Sequence, residues 1–184
     1  MSTKKIGIII GSLRKESYSK KIALAMANLF PEGFDLKVID LSDLPMYNED
    51  LDGETPPNAW TTFREEAKKM DAFLFVTPEY NRSVPAVIKN ALDVGSRPYG
   101  QSIWDNKIGA VISVSPGALS GFGANHHLRQ SLVFLNVLTL QQPEAYLGNV
   151  TNFLAEDGTI TNEGTLGFIQ TIVDSFVTLI EKNS

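Results

Sequence analysis

The chain has 184 residues, 43% of them apolar and 20% charged, with a formal charge of −5, two histidines and no cysteine. At about 150 residues per domain, this length reads as a single domain over residues 1–184 with enough chain to bury a core. The missing cysteines exclude disulfides, iron–sulfur ligation, thiol redox motifs and a cysteine nucleophile, and the mild acidity without a basic run argues against a nucleic-acid surface.

The start carries Lys4 and Lys5 and then a five-residue apolar run, Ile6 to Ile10. That is shorter than a secretory core of about 7–15 residues, and no run in the chain approaches the roughly 20 residues that span a bilayer. The expected location is the cytoplasm, without membrane insertion. The same β-branched run reads as a strand buried on both faces, as in a parallel sheet. Ile22, Met26, Leu29 and Phe30 then follow helical spacing, with Ser17 or Ser19 as cap. Phe34 to Leu41 reads as a second strand. Asp43 to Pro57 is a long polar connection that reads either as a lid or as plain surface.

Asn58 to Met70 predicts a helix with Trp60, Phe63, Ala67 and Met70 on one face. Asp71 to Thr77 predicts the third strand, stopped by Pro78. A helix follows from Pro85, which suits a first turn. Lys107 to Ser115 is the fourth strand, Asn125 to Asn136 a helix, Val137 to Gln141 the fifth strand, and Leu166 to Ile180 the last amphipathic helix. The adjacent His126 and His127 would point about 100° apart on that fourth helix and cannot grip one metal together. Trp60 and Trp104 read as packing residues. Arg129 and Glu144 read either as an intersubunit ion pair or as a solvated one.

Five β-α units argue an α/β layered fold with a parallel sheet and helices on both faces. Ligands in such sheets bind beyond the carboxyl ends of the strands, and three of these ends carry chemistry. Gly11-Ser12-Leu13-Arg14-Lys15-Glu16-Ser17-Tyr18-Ser19 joins a strand to a helix N-terminus; its hydroxyls, N–H groups and Arg14 suit a phosphate. It also reads as a polar loop with a good cap. Thr77-Pro78-Glu79-Tyr80-Asn81-Arg82-Ser83-Val84-Pro85 is bracketed by prolines, so its backbone is presented rigidly, as edge recognition of a flat ring requires. Glu79 reads as an acid or as an arginine partner. Ser113-Val114-Ser115-Pro116-Gly117-Ala118-Leu119-Ser120-Gly121-Phe122-Gly123 lets a ligand approach the backbone. A Ser115 nucleophile with His126 or His127 is a weak alternative, because G-x-S-x-G is absent.

Together these segments resemble the NADPH-dependent FMN reductase family of flavodoxin-like flavoproteins, which includes quinone, azo-dye and chromate reductases. The resemblance runs from Lys5 to about Phe176. It is most specific over Thr77–Asp93, where a Pro-Glu-Tyr-Asn box precedes a proline and an Ile-Lys-Asn-Ala-Leu-Asp helix. Gly11-Ser12-Leu13-Arg14…Ser17 is similar to the family's phosphate loop, and Ser96-Arg97-Pro98 and His127-Leu128-Arg129-Gln130 to its later segments. The resemblance implies a three-layer sandwich around a five-stranded parallel sheet of order 2-1-3-4-5. It implies FMN with NADPH or NADH as reductant, and ping-pong hydride transfer to a small-molecule acceptor. Ser12, Arg14, Ser17 and Ser19 would hold the FMN phosphate. Pro78, Glu79, Tyr80 and Asn81 would line the isoalloxazine ring, and Ser115, Pro116 and Gly117 would flank it. No side chain is assigned as catalytic, since the flavin carries the chemistry. A homodimer or homotetramer is implied as well. Ser19 replaces a common asparagine, Ala86 a frequent glycine, and Val94-Gly95 a Trp-containing pair. The runner-up is an electron carrier like a flavodoxin, without NAD(P)H turnover.

Overall fold

The computed structural model describes residues 3–183. Its strands are β1 (Lys4–Ile10), β2 (Phe34–Val38), β3 (Ala72–Thr77), β4 (Ile108–Val114), β5 (Leu138–Thr139) and β6 (Ala145–Leu147). Its helices are α1 (Tyr18–Ala27), α2 (Asn58–Lys68), α3 (Ala86–Gly95), α4 (Phe122–Phe134) and α5 (Glu163–Lys182). All strand pairs are parallel, in the order β2-β1-β3-β4-β5, with β6 also on β4. No helix among the described residues is long and apolar enough to cross a membrane.

The period-2 geometry of strands splits each apolar run between two cores. Ile6, Ile8 and Ile10 of β1 face one side, with Leu74 of β3, Ile22 and Met26 of α1, and Ile169, Ile172 and Phe176 of α5. Ile9 faces the other side, with Phe73 and Phe75 of β3, Trp60 and Phe63 of α2, Ile88 of α3, and Leu128 of α4. Trp60 and Trp104 are fully buried there, as packing residues.

The fifth strand is the main departure from the sequence reading. Instead of one strand over Val137–Gln141, two short pieces pair with opposite ends of β4: Gly109 registers with Thr139, and Ile112 with Ala145. Five residues, 140–144, therefore stand against two of β4, and the excess leaves the ladder. Pro143 lies in this excursion and has no N–H to give a ladder. Side chains of α4 occupy the freed carbonyls. Arg129 Nη1 donates to Leu140 O at 2.8 Å, and Asn125 Nδ2 to Ala145 O at 3.3 Å. Arg129 is thus committed within the chain, while Glu144 accepts from the Tyr146 hydroxyl at 2.8 Å. The fourth helix also starts three residues earlier than expected, at Phe122 rather than Asn125.

The connection after β2 is tied down. Asn90 of α3 donates to Leu44 O and Pro45 O (3.1 and 2.9 Å) and accepts from Tyr47 N (2.8 Å). Trp60 Nε1 donates to Pro45 O at 2.9 Å. Arg64 of α2 grips Asp52 with both terminal nitrogens at 2.8 Å and gives Nε to Val94 O at 2.9 Å. The Arg64 and Asp52 side chains are only 12% and 4% exposed. The segment is a fixed cover over α2 and α3.

The hydrogen bonds from Arg64 hold the Asp52 carboxyl below its ordinary value of 3.8, against the opposing effect of burial. The stability it contributes is complete above that value and is lost as pH falls through the lower folded value. Arg64→Ala strands a buried carboxylate, and urea unfolding at pH 7 should show a loss of about 3–5 kcal/mol. The loss should shrink as the pH is lowered below 3.8.

Candidate cofactor site at the strand ends

The loop after β1 turns at Gly11, whose N–H donates to Val76 O of β3 at 2.9 Å. A Cβ there would stand 2.7 Å from Ile88 Cδ1 and 2.9 Å from Pro78 Cδ. Only glycine lets this loop lie against the loop after β3. Beyond it the chain opens toward α1. Ser17 caps the helix, its Oγ accepting from Lys20 N at 3.2 Å; the hydroxyl keeps its own proton to donate. The N–H groups of residues 15–19 reach no backbone carbonyl among the described residues. They are the orphan donors expected at a helix start, and the helix dipole favours an anion there. Ser12 is half-buried and accepts from Arg14 N at 3.4 Å, Arg14 is exposed, and Ser17 and Ser19 are buried. Ser12 and Arg14 therefore form the accessible rim of the loop, with Ser17 and Ser19 beneath it.

The loop after β3 is as rigid as its prolines suggest. Thr77 Oγ1 donates to Pro78 O at 2.7 Å. Tyr80 and Ser83 exchange both backbone hydrogen bonds (3.1 and 3.0 Å) around Asn81 and Arg82, which have φ of 50° and 64°. Positive φ at both central positions defines a type I′ turn. Asn81 suits it, whereas Arg82 costs roughly 1–2 kcal/mol. Tyr80 is 46% exposed.

Glu79 resolves the choice between an acid and an arginine partner. Oε1 accepts from Arg82 Nη1 at 3.0 Å, and Oε2 accepts from Ala124 N, in the first turn of α4, at 3.1 Å. The cap residue of α4 is Gly121, left-handed at φ 70°, which has no side chain to offer. A carboxylate from another loop replaces it. His127 Nδ1 pairs with Ser83 Oγ at 3.0 Å, a second clasp between α4 and this turn.

The loop after β4 is held from beneath. Ser113 Oγ donates to Ser120 O at 2.7 Å, Ser115 N donates to Leu147 O at 2.9 Å, and Gly117 N donates to Ser115 Oγ at 3.0 Å. Pro116 and Gly117 are exposed beside half-buried Ser115. The nucleophile alternative finds no geometric support. His127 is engaged by Ser83, and His126 Nε2 lies 3.0 Å from the Tyr146 hydroxyl. That hydroxyl donates to Glu144, so it accepts from His126 Nε2–H. Burial, then the hydrogen bond to Glu144, push its pKa up to about 12. Among the described residues no group of three His, Asp or Glu is placed to hold a metal ion.

The three loops thus meet edge to edge, joined by Gly11 against Pro78 and by Glu79 against α4. The sequence profile of NADPH-dependent FMN reductases matches residues 4–152. The chain belongs to the NADPH-dependent FMN reductase family. It is 53% identical to a quinone reductase of Pseudomonas putida over 178 residues, covering 97% of this chain and 95% of the relative. It is 41% identical to a 2-hydroxy-1,4-benzoquinone reductase of a Burkholderia species over 172 residues, with 94% and 93% covered. Among solved structures, FerB, a flavoenzyme NAD(P)H:(acceptor) oxidoreductase of Paracoccus denitrificans, superposes with a TM-score of 0.91 at 38% identity, covering 98% of each chain. Members of this family are oxidoreductases that use FMN with NAD(P)H, and the flavodoxin-like strand order agrees.

Two contributors were missed in sequence, the buried polar anchors Asn125 and Ser113; Glu79 was singled out, but not its role as a helix cap. A glycine at the cap of α4 is the one available signal, since the helix then needs an acceptor from elsewhere. Glu79→Ala removes both the cap and the Arg82 pair. It should destabilise the fold by about 1–2 kcal/mol in urea unfolding, with Glu79→Gln recovering part of the loss through its amide oxygen.

Proposed function

We propose that the chain is an FMN-holding NAD(P)H oxidoreductase whose acceptor is a quinone or a chemically similar compound. The observation that carries this is the convergence of an anion-ready loop, a rigid ring-edge loop and an open third loop at one end of the sheet. The fit to FMN is local and physical. Gly11, with no room for a Cβ, brings this loop against Pro78 of the ring-edge loop, the N–H groups of residues 15–19 are free of backbone carbonyls, and Arg14 is exposed beside them. In this reading Ser12, Arg14, Ser17 and Ser19 hold the phosphate. Pro78 and the backbone of Glu79, Tyr80 and Asn81 bound the ring edge, and Ser115, Pro116 and Gly117 flank it. When bound, FMN supplies a ring nitrogen that takes hydride from NAD(P)H and returns two electrons to the acceptor.

The protein's part is position. The clasped type I′ turn would bound the ring edge, with the exposed Tyr80 beside it. A face shared by reductant and acceptor would make turnover ping-pong, with proximity the main contribution to rate. Names of relatives support the quinone assignment. Exposed Val133, Phe134 and Tyr99, at 72%, 90% and 90%, support association into a dimer or tetramer. The cytoplasm, which supplies NAD(P)H, is the compartment that suits this reading.

Two measurements test the reading. Steady-state NADPH oxidation with FMN and a benzoquinone should give parallel double-reciprocal lines; no NADPH consumption would favour an electron carrier. Arg14→Ala should weaken FMN binding by about 10–100-fold, the value of one charge-assisted phosphate contact. Unchanged FMN retention would remove Arg14 from the site.

A further inference from the structure

A second groove, of about 350 Å3, opens on the far side of the phosphate loop. It lies between the end of β1 and the chain leaving β2, and its polar lining is Ser12, Arg14, Lys15, Lys20, Asp40 and Ser42. Among the described residues, Arg14, Lys15 and Lys20 take part in no ion pair, whereas the neighbouring Lys21 is neutralised by Glu16 at 2.9 Å. The one carboxylate of the groove, Asp40, accepts from Ser42 N at 2.9 Å. This bond holds its pKa below the ordinary 3.8, so it is charged at neutral pH. The groove therefore carries three cations and one anion, a net charge of +2. With Arg14 given to the FMN phosphate, Lys15 and Lys20 remain unpaired beside Asp40, and an incoming diphosphate relieves their mutual repulsion.

The position fits an extended ligand. Neighbouring strands lie about 4.8 Å apart. The crevice between β1 and β2 is therefore about two spacings, or roughly 10 Å, from the crevice between β3 and β4 where the ring-edge loops begin. The FMN phosphate already claims the loop between them. A second phosphate-bearing ligand whose reactive ring stacks over the first can lead its charged arm past that loop into this groove, where Lys15 and Lys20 stand without ion-pair partners.

We propose that the groove binds the ribose–diphosphate arm of the nicotinamide dinucleotide, with Lys15 and Lys20 pairing with the phosphates and Asp40 accepting from a ribose hydroxyl. The assignment rests on the NAD(P)H reading above and names the part of the surface that captures the reductant. Both NADH and NADPH carry this arm, so both are held.

The test uses the FMN-loaded full chain and ADP-ribose, which has the arm but no nicotinamide. Calorimetry should show ADP-ribose binding to the wild type and affinity falling roughly tenfold in the Lys15→Ala/Lys20→Ala double variant, about two exposed charge contacts. The KM for NADPH and for NADH should both rise, while FMN affinity stays within about twofold, and added salt should weaken ADP-ribose binding. Equal ADP-ribose affinity in both proteins overturns the proposal. So does loss of FMN affinity in the double variant, which would give the lysines to the flavin phosphate. A KM increase confined to NADPH also overturns it, in favour of a site for the extra phosphate. ADP-ribose binding by a wild type that oxidises no NAD(P)H would contradict the enzyme reading and leave the groove's arm-binding supported.

Discussion

The Glu79 carboxylate joins two loops that the sheet alone would leave independent. One oxygen holds Arg82 and the other caps α4, which begins without a capping side chain. A flat ring bounded by the loops after β3 and β4 needs both at a fixed separation. Loops are ordinarily the mobile parts of an α/β fold. Here the turn at 80–83 is fixed by its own paired backbone, by Glu79 and by His127, so its donors and acceptors keep their direction without being ordered by a ligand. Pre-organisation of this kind lowers the entropic cost of binding.

The same logic runs through the end of β4. Asn125 is fully buried and donates toward Val111 O, Ser113 Oγ and Ala145 O, at 3.3–3.4 Å, while accepting from Arg129 Nε at 2.9 Å. These contacts span the gap where β5 gives way to β6. The break in the edge strand has a purpose in packing: β6 pairs with the carboxyl end of β4 and supports the loop at 115–117 through Leu147. A continuous strand over 137–141 in this register would end opposite Val111, midway along β4, and leave that loop without support.

The strands β1, β3 and β4 were legible because a parallel strand buried on both faces must be an apolar run, and helices stop such runs from being confused with anything longer. Ile6–Ile10 and Ala72–Val76 are of this kind. The split of the fifth strand was not legible, since Pro143 marks a break but not where pairing resumes; that depends on α4 side chains distant in sequence. The start of α4 was placed too late for a related reason: its cap comes from Glu79, 45 residues earlier than the N–H it holds. The long connection after β2 reads in sequence as a loop of either kind, and only the partners Asn90, Trp60 and Arg64 make it fixed. The strand-end loops themselves were located correctly, because glycine, proline and hydroxyl residues cluster there. How deeply each side chain sits was not legible, since Ser17 and Ser19 are buried while Arg14 is exposed. Resemblance to a family supplied the cofactor, which composition alone does not name.

The central claim is that these loops hold a flavin which passes electrons from a nicotinamide to a quinone at one shared face. The visible spectrum of the FMN-loaded protein under anaerobic conditions tests this most directly. Stoichiometric NADPH should bleach the flavin bands, and one equivalent of benzoquinone added afterwards should restore them. Bands that persist after NADPH, or that stay bleached after the quinone, would contradict it.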